Sequence, residues 1–254
     1  MIGGRKRIDL RHAQLHVERL SKRFGGLRVL EDISFRVAPG EVLGVIGPNG
    51  AGKTTLINMI SGRIAPTGGH VFLGNVDATG WPTHKLSRCG VVRSFQQTNT
   101  FQGQTVRENL LRAIRFSQGS LNFLANVADL LDSLGLAMRM EERSDKLAYG
   151  LQKMLGLMMA YATNPGVLLL DEPAAGLERS ERPRIDEFVA HARRHAGSAV
   201  LIVEHDMELV RRLCPRILVM DGGHVLAEGA PAEVLARTDV IEAYLGAGKE
   251  DLAA

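Results

Sequence analysis

Long apolar runs, cysteines and aromatic residues are all scarce in this sequence of 254 residues. The longest apolar runs, such as residues 155–162, fall well short of the ~18 residues that indicate a membrane span, and the first residues lack the apolar region of a signal peptide. Cys89 and Cys214 show neither CxxC nor metal-ligand spacing, which favours free, buried thiols in a reducing compartment. We therefore expect a soluble, cytoplasmic chain that serves any membrane process by docking.

An excess of one charge is also lacking, because 31 Lys and Arg residues against 28 Asp and Glu residues leave a net charge of +3. Nucleic-acid-binding proteins usually gather basic residues on one face, whereas here they are scattered apart from Arg5, Lys6 and Arg7. We interpret that cluster as a solvated basic tail and expect no nucleic-acid partner. The remaining composition is ordinary, and 45% apolar residues suffice for a sizeable core.

Short, continuous apolar runs predict strands that are covered on both faces, as in parallel sheets. These runs lie at residues 42–46, 167–170, 200–203 and 217–220. Helical patterns lie between them, for example at residues 53–60 and 182–194. The alternation of strands and helices predicts an α/β fold with a mainly parallel sheet.

Two regions depart from this alternation. The first shows period-two patterns separated by turn residues, which predicts antiparallel strands beside the first parallel one. Its strands are expected at residues 15–20, 29–37 and 71–73. In the second, from 106 to 163, strand signals vanish and helical patterns dominate, including residues 121–134 and 151–162. We expect this block to form a helical subdomain inserted between two strands of the parallel core.

A glycine-rich segment carries the first chemical signal. It reads Gly47-Pro48-Asn49-Gly50-Ala51-Gly52-Lys53-Thr54-Thr55, which matches G-x-x-x-x-G-K-[ST] between an apolar strand and a helix. Such a loop turns backbone N–H groups towards phosphate oxygens, and the helix dipole adds partial positive charge. We expect Lys53 to reach the β- and γ-phosphates of a nucleotide and the Thr54 hydroxyl to ligate Mg²⁺. An incidental glycine-rich turn is the alternative, which the strand and helix context disfavours.

Two carboxylates follow the apolar run at residues 167–170. Acids at the carboxyl end of a parallel strand lie in the crevice where ligands of α/β sheets bind. Asp171 is placed to hold Mg²⁺ through its water shell, and Glu172 to orient and polarise an attacking water as a general base. Alone, such a pair more often caps a helix. The phosphate-binding motif earlier in the chain favours the catalytic interpretation.

Four further motifs narrow the class of nucleotide-binding protein. They are Leu147-Ala148-Tyr149-Gly150, Asp171-Glu172-Pro173-Ala174-Ala175-Gly176-Leu177, Glu204-His205-Asp206-Met207 and Val240-Ile241-Glu242-Ala243-Tyr244-Leu245-Gly246. With them the chain resembles, from end to end, the ATP-binding subunits of ABC transporters. Within that family it looks most like the ATPase subunits of bacterial branched-chain (hydrophobic) amino acid transporters.

The resemblance implies an α/β fold: a P-loop NTPase ABC cassette with a RecA-like parallel-sheet core, an antiparallel β-subdomain and an inserted α-helical subdomain. It places one ATPase domain at residues 13–248. The catalytic core is expected at 13–97 and 164–248, the helical subdomain at 98–163, and tails at 1–12 and 249–254.

The resemblance also implies roles for residues that are otherwise ambiguous. Phe24 matches the aromatic residue that stacks on adenine, although a lone Phe near a strand end is usually a core residue. Gln96, which follows Phe95, matches the glutamine that contacts Mg²⁺ and links the site to the membrane partner. His205 matches the histidine that hydrogen-bonds the γ-phosphate, although a residue in this place is as often a helix cap.

Residues 147–150 match the signature segment, which in the family lies at a helix N-terminus and closes over ATP held by the other subunit. Ala148, Tyr149 and Gly150 would therefore contact the partner's nucleotide. The widespread signature is Leu-Ser-Gly-Gly-Gln, so Ala148 removes a hydroxyl and Leu151 replaces the glutamine. Glu178-Arg179 also replaces the usual Asp or Asn followed by Pro. We hypothesise that the composite site built with this signature closes less tightly than the site at the chain's own phosphate-binding loop.

These features together predict an ATP- and Mg²⁺-dependent ATPase subunit of an importer for branched-chain or related amino acids. The resemblance implies two transmembrane permease subunits, a second ATPase chain (a paralogue, hence a heterodimer) and, indirectly, a periplasmic binding protein. It also implies a peripheral location on the cytoplasmic face of the bacterial inner membrane. The alternatives are import of urea, amides or aromatic acids, a soluble ABC ATPase outside transport, and a regulatory chain that does not hydrolyse ATP. The last is disfavoured because Lys53, Glu172 and His205 are all present.

Overall fold

Two β-sheets and several helices are stacked in layers in the computed structural model, which describes residues 13–94, 100–117 and 127–246. One sheet is antiparallel and has the strand order β2-β1-β4-β5. Its strands are β1 Leu15–Phe24, β2 Leu27–Val37, β4 Gly68–Leu73 and β5 Val76–Asp77. The antiparallel strands predicted in this part of the chain are therefore confirmed, with longer bounds because the hairpin that joins β1 to β2 extends both strands to their shared turn.

The other sheet has the order β10-β9-β3-β8-β7-β6. Its strands are β3 Val42–Ile46, β6 Val91–Arg93, β7 Val167–Asp171, β8 Ala199–Val203, β9 Arg216–Asp221 and β10 His224–Gly229. All neighbours are parallel except β10, which pairs antiparallel with β9. The apolar runs predicted all four inner strands. They missed the two edge strands, because β6 is too short to show a period and β10 is only half-buried.

The helices lie between the strands of this sheet and in the long connection between β6 and β7. They are α1 Lys53–Ile60, α2 Thr83–Arg88, α3 Val106–Ser117, α4 Ala128–Ser133, α5 Tyr149–Tyr161, α6 Pro183–Ala196, α7 Met207–Leu213, α8 Pro231–Val234 and α9 Thr238–Gly246. Two 3₁₀ turns, Ala137–Arg139 and Ser144–Lys146, join α4 to α5. In the described ranges, none of these helices has the length and apolar character that a membrane crossing requires.

The predicted helical block is confirmed where it is described, since α3, α4 and α5 occupy the connection between β6 and β7. Of the helix predicted at 121–134, only α4 falls within the described residues. The helix predicted at 151–162 begins two residues earlier, at Tyr149, because Ala148 already has the extended backbone of a cap, with φ −57° and ψ 151°.

The mainly parallel sheet is buried on both faces, and alternate residues of each strand enter different apolar clusters. Leu43, Leu169 and Leu201 pack with α1 and the antiparallel sheet. Their neighbours, such as Leu168 and Ile202, pack with α5, α6 and α7 on the opposite face. The sheet therefore forms the middle layer, and its strand ends are the only parts left to carry a site.

Both cysteines are free thiols, and Cys214 is buried under the sheet. A Cβ added at Gly44 would lie 2.9 Å from Cys214 Sγ, so the thiol packs directly on the backbone of β3. Burial, with a smaller contribution from Glu204, raises the pKa of Cys214 to about 12. We expect iodoacetamide at pH 8 to leave Cys214 unmodified in the folded protein, because only roughly 10⁻⁴ of it is thiolate and that fraction is inaccessible.

Mass spectrometry after alkylation checks this, with the same reaction in 6 M guanidinium as the control. Modification of Cys214 in the folded chain at the rate seen after unfolding would contradict the packing of β3 against it.

Candidate functional site

The site lies where three neighbouring parallel strands end. In the register of the sheet, Val45 of β3 is opposite Val203 of β8, and Val203 is opposite Asp171 of β7. Residues that follow these strands therefore emerge side by side at one edge. The pairing brings together the glycine-rich loop after β3, Glu172 after β7 and His205 after β8.

The glycines of the loop are there for steric reasons. Gly47, Gly50 and Gly52 have φ values of 148°, 86° and 98°, which side chains rarely adopt. A Cβ at Gly47 would lie 2.1 Å from Met220 O, and one at Gly52 would lie 2.5 Å from Leu30 Cδ2. At Gly50 a Cβ would meet no atom of the described residues within 4 Å. Gly47 and Gly52 thus pack closely against β9 and β2, whereas the loop at Gly50 is open.

The N-terminus of α1 is open to an anion. Gly52 is the N-cap residue and, among the described residues, no side chain hydrogen-bonds to the helix start as a cap. The first turn contains no acidic residue, so its N–H groups are left for an external acceptor. The Lys53 ammonium donates to the carbonyl oxygens of Gly47 and, at 3.0 Å, Pro48. A cationic side chain and uncapped N–H groups therefore converge on the same loop.

Asp171 is almost completely buried at 2% exposure and pairs with Arg93 of β6, whose Nη2 lies 2.6 Å from Asp171 Oδ2. Arg93 also donates from Nη1 to Asn58 Oδ1 of α1, at 2.6 Å. Asp171 Oδ1 is buried and has no hydrogen-bond partner among the described residues. A buried carboxylate oxygen without such a partner, next to α1, fits a carboxylate that takes a further ligand.

Sequence reasoning missed Arg93, because a single arginine at the end of a three-residue strand belongs to no motif. Only the sheet order, which places β6 beside β7, shows that it neutralises Asp171.

Glu172 has a backbone that non-glycine residues seldom adopt, with φ 46°. Its N–H donates to Val203 O at 2.8 Å, and its carboxylate is about one-third exposed. His205 is more exposed, and its Nδ1 lies 3.9 Å from Glu172 Oε1. The next helix in this described part of the chain begins only at Pro183. The alternative in which Asp171 and Glu172 cap a helix is therefore wrong.

His205 is not a helix cap either. The N-cap of α7 is Asp206, whose carboxylate accepts from the N–H groups of Glu208 and Leu209, both at 3.0 Å. Asp206 also pairs with Arg182 of the segment before α6. The His205 imidazole does not cap α7 and lies exposed near the Glu172 carboxylate.

The signature residues lie at the N-terminus of α5, as the resemblance implies. Ala148 is the N-cap residue and exposed, Tyr149 is 48% exposed, and Gly150 is buried. Tyr149 packs on Gly176 in the loop after β7, where a Cβ would lie 2.8 Å from Tyr149 Cε1. Leu151 is buried in the apolar cluster beneath α5.

Phe24 is the last residue of β1 and is 49% exposed, so it is not a core residue. The Lys22 ammonium lies 4.9 Å from its ring centroid. Its hairpin partner β2 contacts the glycine-rich loop through Leu30. Phe95 and Gln96 lie outside the described residues.

A family model described as "ABC transporter" matches residues 30–175. The chain belongs to the ABC transporter ATP-binding family. A second model, "Branched-chain amino acid ATP-binding cassette transporter", matches residues 224–250. Members of the family are ATPases that power transport, and their ATP-binding domain binds nucleotide.

Relatives align over nearly the whole cassette. The high-affinity branched-chain amino acid transport ATP-binding protein LivG of Escherichia coli is 38% identical over 91% of this chain and 97% of its own length. The protein BraF of Pseudomonas aeruginosa, with the same description, is also 38% identical over the same shares. The ADP conformation of MJ1267, an ATP-binding cassette of an ABC transporter, superposes with a TM-score of 0.79, at 31% identity and over 92% of this chain and 99% of that one.

The buried pair of Arg93 and Asp171 yields a stability prediction. Replacing Arg93 with Met leaves a buried carboxylate without its partner, so we expect the free energy of unfolding at pH 7 to fall by about 3–5 kcal/mol. Urea denaturation followed by circular dichroism measures the change.

Arg107→Met is the matched control, because Arg107 pairs with Glu141 at the same 2.6 Å, but both side chains are exposed. That variant should lose less than about 1 kcal/mol. Equal losses for the two variants would show that the Arg93 pair is not buried as described.

Proposed function

We propose that this chain is the ATP-hydrolysing subunit of an importer for branched-chain or related amino acids. The observation that carries the proposal is the convergence of three elements at one sheet edge: an uncapped, glycine-rich helix start with Lys53, the orphaned oxygen of Asp171, and Glu172 beside His205. Each supplies a different requirement of phosphoryl transfer to water. The helix start with Lys53 binds the phosphates, Asp171 helps to hold the metal ion, and Glu172 beside His205 supplies the general base.

Nucleotide binding is assigned to the loop and its neighbours. The N–H groups of residues 47–55 and the Lys53 ammonium grip the phosphates, and the exposed ring of Phe24 stacks on adenine. Lys53 exchanges its carbonyl partners Gly47 and Pro48 for phosphate oxygens, a stronger, charge-assisted contact.

Mg²⁺ fits the remaining donors. The described residues contain no group of three or more His, Cys, Asp and Glu side chains that could hold a metal ion. The buried Asp171 Oδ1, which has no hydrogen-bond partner among the described residues, would help to hold an ion shared with the nucleotide phosphates, with the Thr54 hydroxyl and Gln96 as the protein's other contributions. When bound, the ion neutralises charge on the β- and γ-phosphates.

Hydrolysis is assigned to Glu172 and His205. The Glu172 carboxylate is exposed enough to reach a water molecule, orients it and accepts its proton as the oxygen attacks phosphorus. The His205 imidazole donates a hydrogen bond to the γ-phosphate oxygens as their charge redistributes.

A second ATPase chain completes each site. The start of α5 has an alanine cap and no acidic residue in its first turn, so its partial positive charge can face a phosphate held by another subunit. Ala148, Tyr149 and Gly150 would make that contact. Two such chains, paralogues in a heterodimer, would close on two ATP molecules and drive two permease subunits.

The transport setting follows from the relatives, which are named for high-affinity branched-chain amino acid transport. A location on the cytoplasmic face of the inner membrane, held by the permeases, is the setting that this role requires. A periplasmic binding protein would select the cargo. Urea, short amides and aromatic acids are the alternative cargoes, because cargo contacts lie outside this chain.

Two substitutions separate binding from hydrolysis. We expect Lys53→Ala to weaken Mg·ATP binding roughly 10- to 100-fold, because it removes charge-assisted hydrogen bonds to phosphate.

We expect Glu172→Gln to keep nucleotide affinity but lower the turnover of the assembled complex by about 10²- to 10⁴-fold. Calorimetric titration and phosphate release measure the two effects.

Glu233→Gln serves as a control, since Glu233 is an exposed carboxylate of α8. If Lys53→Ala left both affinity and turnover unchanged, the phosphate-binding assignment would be wrong.

The hypothesis that the composite site built with this chain's signature closes less tightly stays a prediction, and the structure indicates which residue tests it best. Ala148 is the exposed cap of α5, whereas Leu151 faces the core. We expect Ala148→Ser to restore a hydroxyl for the partner's phosphate and to lower the ATP concentration for half-maximal turnover of the complex about tenfold. Leu151→Met, which conserves volume, is the control. Unchanged ATP dependence in Ala148→Ser would rule out the missing hydroxyl as a cause of weak closure.

A further inference from the structure

The short loop that carries Glu172 is held from two sides by buried charges. Residues 172–175 lie between Lys153 of α5, which is 5% exposed, and Glu204 at the end of β8, which is 1% exposed. Neither residue belongs to the nucleotide-binding or hydrolytic groups assigned above.

Lys153 binds the loop through two backbone oxygens. Its ammonium donates to Glu172 O at 3.0 Å and to Ala175 O at 2.6 Å. The same helix begins at Tyr149, so Lys153 lies about one turn from the end that would face the partner's nucleotide. A single side chain thus joins the signature helix to the backbone of the proposed base.

Glu204 holds the loop from the other side. Its Oε1 accepts from Ala174 N at 2.9 Å, and its Oε2 accepts from His205 N at 3.0 Å. One carboxylate therefore fixes both the loop of Glu172 and the backbone of His205. Burial lowers the pKa of Lys153, while attraction to Glu204 and Glu172 opposes that shift.

The loop requires such restraint. Glu172 has a φ of 46°, a conformation that costs of order 1 kcal/mol and persists only where the surroundings enforce it. The ammonium on the carbonyl of Glu172 and the hydrogen bond from its N–H to Val203 O hold both ends of that strained residue.

We propose that Lys153 and Glu204 are positioning residues that couple the signature helix to Glu172 and His205 of the same chain. Contact of α5 with the partner's nucleotide would thereby set the position of this chain's own general base, Glu172. Nucleotide binding at one site would then influence hydrolysis at the other. The inference rests on the proposed function, because it requires hydrolysis at Glu172.

A purely structural role is the competing explanation. Two buried opposite charges also stabilise a fold by mutual attraction, and removal of either one leaves the other buried without that attraction. Stability and turnover must therefore be measured on the same variants.

The test uses Lys153→Met, Lys153→Arg, Glu204→Gln and the double variant Lys153→Met/Glu204→Gln, each in the assembled complex with permeases and the second ATPase chain. Ser198→Ala is the control. Its hydroxyl is fully buried and donates to Pro165 O at 2.6 Å, at the opposite end of β7 and β8. Turnover, Mg·ATP affinity of the isolated chain, thermal midpoint and amide exchange of residues 172–177 are recorded.

We expect Lys153→Met to lower kcat roughly 10- to 100-fold, because a misplacement of about 1 Å costs that much, while nucleotide affinity changes by less than about threefold. Amide exchange in residues 172–177 should rise. Lys153→Arg, which keeps the charge and donors, should recover part of the loss. The double variant should recover thermal stability without recovering turnover.

Wild-type turnover in the double variant would overturn the proposal, since the loss would then come from unbalanced charge. So would a Lys153→Met variant that keeps more than half of wild-type turnover. If Lys153→Met does not fold, the charge-balanced double variant decides alone. A wild-type complex that hydrolyses no ATP would instead overturn the proposed function, and the exchange measurement would still show whether Lys153 holds the loop.

Discussion

The parallel pairing of β3, β8 and β7 is the constraint on which the site depends. Each strand is buried on both faces, so most of its side chains belong to the core and chemistry is left to residues at or just after its carboxyl end. The register that places Val45, Val203 and Asp171 side by side also determines where the glycine-rich loop, Glu172 and His205 emerge. A change in strand order would scatter these groups without altering any motif.

Buried charge is concentrated around this edge. Asp171 is matched by Arg93, and Glu204 faces Lys153 across the loop of Glu172. Such groups are costly to desolvate and weak evidence for stability alone. They hold the geometry, because they hydrogen-bond across elements: Arg93 of β6 binds α1, Lys153 of α5 binds the loop after β7, and Glu204 orders the start of α7. The loop of Glu172 is therefore connected to α5 by polar contacts as well as by packing.

The unusual signature fits its surroundings. Tyr149, where the widespread pattern has glycine, lies on Gly176 of the loop after β7, and Gly176 has a φ of 76° and no room for a side chain. Leu151, where glutamine is usual, adds apolar surface to the cluster under α5. Both departures thus increase packing between the signature helix and the core, while Ala148 and the exposed part of Tyr149 alter the surface offered to a partner.

The sequence by itself determined the class of fold, the inner strands and the glycine-rich loop, since these follow from apolar periodicity and local backbone chemistry around residues 42–60. The family resemblance added His205 and the residues at the start of α5. Only the tertiary structure decided which residues meet Asp171 and Glu172. Arg93 and Lys153 lie 78 and 19 residues from their partners, and no local pattern encodes contacts that arise from strand order and helix packing. The exposure of Phe24 and the capping role of Asp206, rather than His205, were decided in the same way.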